Sequence, residues 1–549
     1  MRFDARLRPL LLLLLALPTA FPAAPATPAA APDRPAAPRV TSRVVEVSLV
    51  AEDEKGRPVA DLKAEELVLR DGGRPEHLLS FAGPPGSPKG PSAAAPLPPG
   101  TYTNRLELLA GGASSATAIL FDGLNTPATR QAFARQQVLA FLRQVEPGQP
   151  VVLYTLGRGL SVLHELTTDP RPLVAALERY RSEALAGPGA DREGAPLDVA
   201  GTGLEAFGSW LDQLETNLID RYAADRALRT LRSLVAIANH LERLPGRKSL
   251  VWVSGSFPVW IGRDRVPLPS RPDPRELGPE IERAARALNA ASLAVYPVDA
   301  RGLMAPPDYA AERSSIGREM QLADRSGFVT MDTLAQRTGG EAFYRDNDLG
   351  RAFRRAAADA AAAYRLGYEP SHDDWNGRFR EIRIEAKRPG LKLRHRRGYF
   401  AQPEAPGDEW YRSGVLGAAM WSPTDATRLG LAVRLRPSAG GTIGLEVRLD
   451  ARDLVFQPTG DGFRGRFDAW LVQLGPGDAL LDTVSRAADL NLDRITYEQV
   501  RAQGELPFAE SVRRVPKAVL LRVLVRDVTS GALGSVSVPL SGGDERAPR

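Results

Sequence analysis

The sequence predicts a doubly wound, Rossmann-like α/β domain flanked by β-sandwich domains. Three observations support that fold class. Residues 113–363 alternate short, uninterrupted apolar runs with stretches of helical periodicity, the pattern of a largely parallel sheet covered on both faces. Residues 40–83 and 364–402 alternate apolar and polar side chains at period two, as strands do when one face is buried. The same alternation returns over several short segments of 403–549.

Bulk composition narrows the class. The 549 residues allow three or four domains at roughly 100–200 residues each. A formal charge of +5, from 71 basic and 66 acidic residues, is nearly balanced and gives no support to nucleic-acid binding. The absence of cysteine excludes disulfides, thiolate metal sites and a cysteine nucleophile. Arg2, Arg6 and Arg8 precede an apolar core from Leu10 to Leu17, and Ala24-Pro25-Ala26 fits a small-residue cleavage site. Residues 1–26 therefore read as a signal peptide, the core being shorter than the ~20 residues of a stable membrane helix. The expected protein is exported, to the periplasm, cell surface or medium, with no membrane span after cleavage. Residues 27–39 are an Ala/Pro-rich linker.

In the first β block, Val45, Val47 and Leu49 share a face against Glu46 and Ser48. Gly56-Arg57-Pro58 makes a turn, Leu67 and Leu69 begin a strand, and Asp71-Gly72-Gly73 marks a hairpin before Leu78, Leu79 and Phe81. Residues 84–112 read as a linker. The α/β domain follows, with strands expected at Thr117–Phe121, Val151–Tyr154, Ser249–Val253, Leu293–Val298 and Ala342–Tyr344. Between them, helices are expected over Gln131–Val145, Pro170–Arg181 and Asn217–Leu244, with another ending at Leu288. Two more cover Met331–Arg337, stopped by Gly339-Gly340, and 351–363. In the second β block Ile382, Ile384 and Ala386 alternate with charged residues, and Pro389-Gly390 turns the chain toward Leu391 and Leu393. Each β block is too small to fold alone. The expectation is that they pair into one composite sandwich with the α/β domain inserted between them. Strands at 429–435, 443–449, 463–474, 519–525 and 536–540 suggest a further C-terminal sandwich.

Ligands of open α/β sheets bind at the C-terminal ends of the strands. At that position the first strand ends in Phe121-Asp122-Gly123-Leu124-Asn125-Thr126. A buried strand ending in Asp, with a hydroxyl residue four positions on and a helix beyond, resembles a von Willebrand factor type A domain. Val44–Phe81, Lys248–Pro258, Ala294–Gly302 and Tyr364–Tyr399 further resemble a group of acidobacterial proteins with domains related to that type. The resemblance implies a Mg²⁺ ion at a metal-ion-dependent adhesion site of pattern Asp-x-Ser-x-Ser, whose open position accepts a partner's carboxylate. Asp122 matches the first position of that pattern and Thr126 the last, while Leu124 replaces the middle Ser. Thr202, in Gly201-Thr202-Gly203, is the candidate for the family's later Thr. Ser254-Gly255-Ser256 stands where a second Asp should follow its strand. The implied metal site is therefore degenerate, with Asp122 and Thr126 as its ligands. The implied partner-binding face comprises Asp122, Asn125, Thr126, Thr202, Ser254 and Ser256.

Other constellations read as structural. The five histidines lack metal-ligand spacing, and Val253-Ser254-Gly255-Ser256-Phe257 lacks the nucleophile elbow of a hydrolase. His372-Asp373-Asp374 reads as a polar turn and Asp346-Asn347-Asp348 as a helix cap. The basic run from Arg378 to Arg397 reads as the solvated face of strands. No catalytic set is apparent. The expectation is an exported protein that binds an unidentified protein partner, with a structural module of an envelope complex as the alternative.

Overall fold

The computed structural model describes residues 44–84, 98, 100–109, 115–181, 205–255, 257, 274–300, 329–344, 348–372, 374–401, 416–417, 419–436 and 441–540. The expected signal peptide and the Ala/Pro-rich linker lie outside them.

Five strands build the central sheet: β6 (Ala116–Asp122), β7 (Val151–Leu156), β8 (Leu160–Thr167), β9 (Lys248–Ser254) and β10 (Leu293–Asp299), in the order β10-β9-β6-β7-β8. The first four in that order are parallel, and β8 returns antiparallel to β7. Every residue of β6, β7, β9 and β10 is buried, which is why these strands read as continuous apolar runs. Ala342–Tyr344, expected as a strand, contributes one parallel bridge, Phe343 to Val298. One face is covered by α4 (Glu205–Leu241), α5 (Pro274–Ala290) and α6 (329–338), which bury Leu231, Leu234, Ile281, Leu288 and Met331. The other is covered by α2 (Ala128–Leu142), α3 (Pro170–Arg179) and α7 (Leu349–Ala361), with Val138, Leu142, Leu173 and Phe353 inward. This mixed sheet with helices on both faces is consistent with a von Willebrand A-like fold.

The two β blocks interleave. In one sheet the order is β13-β1-β11-β4, with β1 (Val45–Glu52), β4 (Leu78–Ala82), β11 (Tyr364–Tyr368) and β13 (Lys392–His395). In the other it is β14-β12-β2-β3, with β2 (Leu67–Asp71), β3 (Arg74–Glu76), β12 (Phe379–Ala386) and β14 (Gly398–Phe400). Strands from before and after the central domain thus pair directly, β1 with β11 and β13, and β12 with β2. Val47, Leu49, Leu67, Leu69, Tyr364, Ile382 and Ile384 share one apolar cluster.

The C-terminal region also forms two sheets around one cluster. One runs β20-β16-β15-β5, with β5 (Thr101–Thr103), β15 (Leu431–Arg436), β16 (Thr442–Asp450) and β20 (Glu505–Arg513). The other runs β17-β18-β21-β22, with β17 (Gln457–Pro458), β18 (Gly462–Leu474), β21 (Leu520–Asp527) and β22 (Leu533–Pro539); β19 (Leu480–Asp493) also pairs with β18. Here the linker expected over 84–112 needs correction. Its residues Thr101–Thr103 are β5, hydrogen-bonded to β15, and Leu106–Leu109 form a helical turn, α1. Three residues of Thr-Tyr-Thr are too short to show a period, and their partner lies more than 300 residues away.

Both flanking units dock at the end of the sheet where β9 begins. Thr427 caps the last turn of α4, its hydroxyl 3.0 Å from the carbonyls of Asn239 and His240. Just beyond, the Arg243 guanidinium is ion-paired to Glu107, Asp450 and Asp453. On the other side Arg394 of β13 bridges Glu52 of β1 at 2.8 Å and the fully buried Asp359 of α7 at 2.5 Å. Tyr296 of β10 also donates to Asp359, at 2.6 Å. Breaking one partner of such a buried pair strands the other charge, at a cost of about 3–5 kcal/mol.

Two expectations follow. A fragment of residues 40–83 leaves β1 and β2 without β11, β12 and β13, so its circular dichroism should show no cooperative thermal transition. Lys248 is buried at the start of β9; its ammonium donates to the Leu244 carbonyl at 2.5 Å, and burial pushes its pKa down to about 8. The unfolded chain therefore binds more protons between about pH 8 and 10.5, and stability should rise across that window, by at most about 3 kcal/mol. In urea titrations Lys248→Met should flatten the rise.

Candidate functional site

Asp122 is the last residue of β6, and the register of β6 on β9 sets it level with Ser254, the last residue of β9. Both are fully buried. One carboxylate oxygen of Asp122 accepts the backbone N–H of Asn125 at 3.0 Å. The other accepts three donors: Asn125 Nδ2 at 2.8 Å, Ser254 Oγ at 2.9 Å and the indole Nε1 of Trp252 at 3.0 Å. Burial raises the pKa of this carboxyl above its ordinary value, and the donors from Asn125, Trp252 and Ser254 oppose the rise.

The surrounding side chains extend the network. Asn125 Nδ2 also donates to Thr230 Oγ1 on α4 at 2.8 Å, and that hydroxyl donates back to the Arg226 carbonyl. Thr126 Oγ1 donates to the Asp122 carbonyl and accepts the N–H of Gly255 at 2.9 Å. Residue 255 has to be glycine, because a Cβ there would lie 2.8 Å from the Asn125 carbonyl and 2.9 Å from Pro127 Cδ. The β6–α2 loop is thereby pressed against the end of β9.

Asp122, Asn125, Thr126 and Ser254 are thus brought together as expected, but as an interior cluster. All four are buried, as is Leu124, so the expectation that they form an exposed partner-binding face is corrected. They point into the gap between β6, β9 and α4, where each is another's hydrogen-bond partner. Thr202 and Ser256 lie outside the described residues. Pro127 to Arg130, at the start of α2, are exposed beside the cluster.

The donor set does not fit Mg²⁺. A hard cation needs several free oxygen ligands, yet both oxygens of Asp122 already accept N–H or O–H donors. The Thr126 hydroxyl is engaged on both sides, Leu124 offers no ligand, and the buried oxygen of the cluster left without a partner, Asn125 Oδ1, would give a single neutral ligand. Among the described residues no cluster of three or more His, Asp or Glu side chains is arranged to hold a metal ion. The histidines make local contacts, such as His372 Nε2 to Tyr399 Oη at 2.8 Å.

Three members of the site were not read from the sequence. Trp252 sits inside a run that signals only burial, and Thr230 lies in the middle of a long helix. Asp299 closes β10 in register with Ser254 and is also buried. Its signal was available, since it ends an apolar run just as Asp122 does.

No family model matches the chain, and no curated protein matches it in sequence. Among solved structures, it is similar to a von Willebrand factor type A structure from Catenulispora acidiphila, at 10% identity over 91% of this chain and 74% of that one, with a TM-score of 0.21. An aerotolerance-related membrane protein from Bacteroides fragilis matches at 12% identity over 45% of this chain and 98% of its own, with a TM-score of 0.24. The N-terminal domains of the type V pili tip protein Mfa5 from Porphyromonas gingivalis match at 7% identity over 91% and 78%, with a TM-score of 0.23. At such values the likenesses carry no argument about activity.

Asp122→Asn tests the network. An amide has one acceptor atom, so its NH₂ must face either the Asn125 N–H or the three donors on the other oxygen. The substitution should destabilise the protein by about 2–3 kcal/mol in urea unfolding.

Proposed function

We propose that this chain is an exported interaction protein that acts by binding rather than catalysis, through its von Willebrand A-like domain, and that its contact with a protein partner needs no divalent ion. The observation that carries this reading is the state of Asp122. The carboxylate that a metal-dependent adhesion site would offer to an ion is here consumed by Asn125, Trp252 and Ser254. The cluster acts as a pin that holds the C-terminal edge of the sheet in shape. Partner contact falls to the surface beside it, including Pro127 to Arg130. Support comes also from the placement of the flanking units, whose docking contacts at Arg243 and Arg394 lie toward the opposite end of the sheet. Among the described residues those contacts lie away from the Asp122 edge.

The second reading, a structural module of an envelope complex, is favoured by the burial of the whole cluster. Arg130→Glu separates the two. It should weaken binding to a partner held at this edge, and leave an assembly that uses only the flanking units unchanged.

For the metal question, melting temperature is followed while Mg²⁺ or Mn²⁺ is titrated into wild type and Asp122→Ala at constant ionic strength. Neither protein should show a metal-specific rise. Saturable stabilisation of the wild type that Asp122→Ala abolishes would overturn the ion-independent reading.

A further inference from the structure

Where the first β-sheet meets the central domain, Arg247 and Arg396 line a cavity of about 20 Å³, together with Glu46, Ser48, Asn289 and Ser292. Arg247 is only 3% exposed, and it donates through one terminal nitrogen to the Gly339 carbonyl and to Tyr296 Oη. Its Nε is buried without a hydrogen-bond partner. Arg396 donates to the Glu46 carbonyl at 2.7 Å, and its Nε is likewise buried and unpartnered. Among the described residues neither guanidinium has an ion-pair partner, whereas the neighbouring Arg394 has Glu52 and Asp359. The Glu46 side chain on the rim is exposed, where water screens it.

The wall opposite is built with equal care. Ser292 holds φ at +50°, a left-handed conformation unusual for serine. Its carbonyl accepts the N–H of Lys248 at 2.9 Å and its own N–H donates to Asn289. That strained turn brings Ser292 to the same cavity as Ser48 of β1. Gly339 closes the seam nearby, since a Cβ there would lie 2.8 Å from the backbone nitrogen of Arg396.

Arg247 is buried and Arg396 half-buried, with the carboxylates of Glu46 and Asp71 acting on Arg396 only at a distance. A guanidinium held out of water without an ion pair is expensive, and a neutral water satisfies hydrogen bonds without supplying charge. A volume of about 20 Å³ admits one species near the size of a water molecule and is too small for phosphate or sulfate. We propose that this cavity binds a single chloride-sized anion, which neutralises Arg247 and Arg396 and locks the flanking β unit to the central domain.

The full chain is tested in two ways. Thermal unfolding is compared in sodium chloride and sodium gluconate at equal ionic strength and pH. Chloride should raise the melting temperature of the wild type saturably, by about 2 °C, and should not do so in Arg396→Gln. Crystals grown in sodium bromide should show an anomalous peak between Arg247 and Arg396, a readout that stands even if the variant fails to fold. Equal melting temperatures of the wild type in the two salts, an equal chloride effect in wild type and Arg396→Gln, or a cavity without bromide would each overturn the proposal.

Discussion

A carboxylate at the end of a strand that is buried on both sides has no water to turn to, and Asp122 is in that position. Left alone it would protonate or pull the sheet edge open. Instead four donors converge on it from the β6–α2 loop and from β9, and Asn125 ties the loop onward to α4. The geometry of the whole edge follows from satisfying that one charge. The loop has to fold back far enough for Asn125 to reach both oxygens, and residue 255 cannot carry a side chain. Trp252, whose ring stacks edge-on against Phe257, has to turn its indole N–H inward. A site that resembles an ion-binding centre in its first residue is here a buried polar core, with Asn125 Oδ1 its one oxygen left without a partner.

The seams at the other end of the sheet obey the same electrostatics with more partners. Arg243 and Arg394 each draw carboxylates from separate parts of the chain, so each contact holds only if all contributors are folded. The neutral caps are as specific. Thr427 offers its hydroxyl to the last carbonyls of α4, groups that a helix cannot satisfy by itself. The flanking units are therefore joined to the central domain by buried polar bonds, which fix orientation more strictly than apolar contact does.

The legible parts of the sequence were those where burial is uniform. β6, β7, β9 and β10 stand out because all their residues are inside, and α3, α6 and α7 because their apolar stripes are regular. β8 went unread because it is a half-exposed edge strand. Its hairpin signal, Gly157-Arg158-Gly159, was present and is used, with Gly157 donating to the Gly159 carbonyl. β19 hid because none of its residues is fully buried, which blurs the alternation. At the site, Asp122, Asn125, Thr126 and Ser254 were identifiable as residues that gather at the strand ends. Whether they face outward or inward was not, because that depends on Trp252 and Thr230, whose side-chain directions no local pattern encodes.

The pairing of β1 with β11 and β13 has a mechanical consequence. β1 runs antiparallel to both neighbours, so residue 44 and the chain leaving β13 emerge at the same end of the sheet, and a pull between residue 44 and residue 401 opens the β1–β13 hydrogen bonds one after another, as a zipper. The central domain is spliced in as a loop whose two ends are already fastened side by side. Under such a pull the flanking sheet would peel apart at a low force, before tension reached the Asp122 edge.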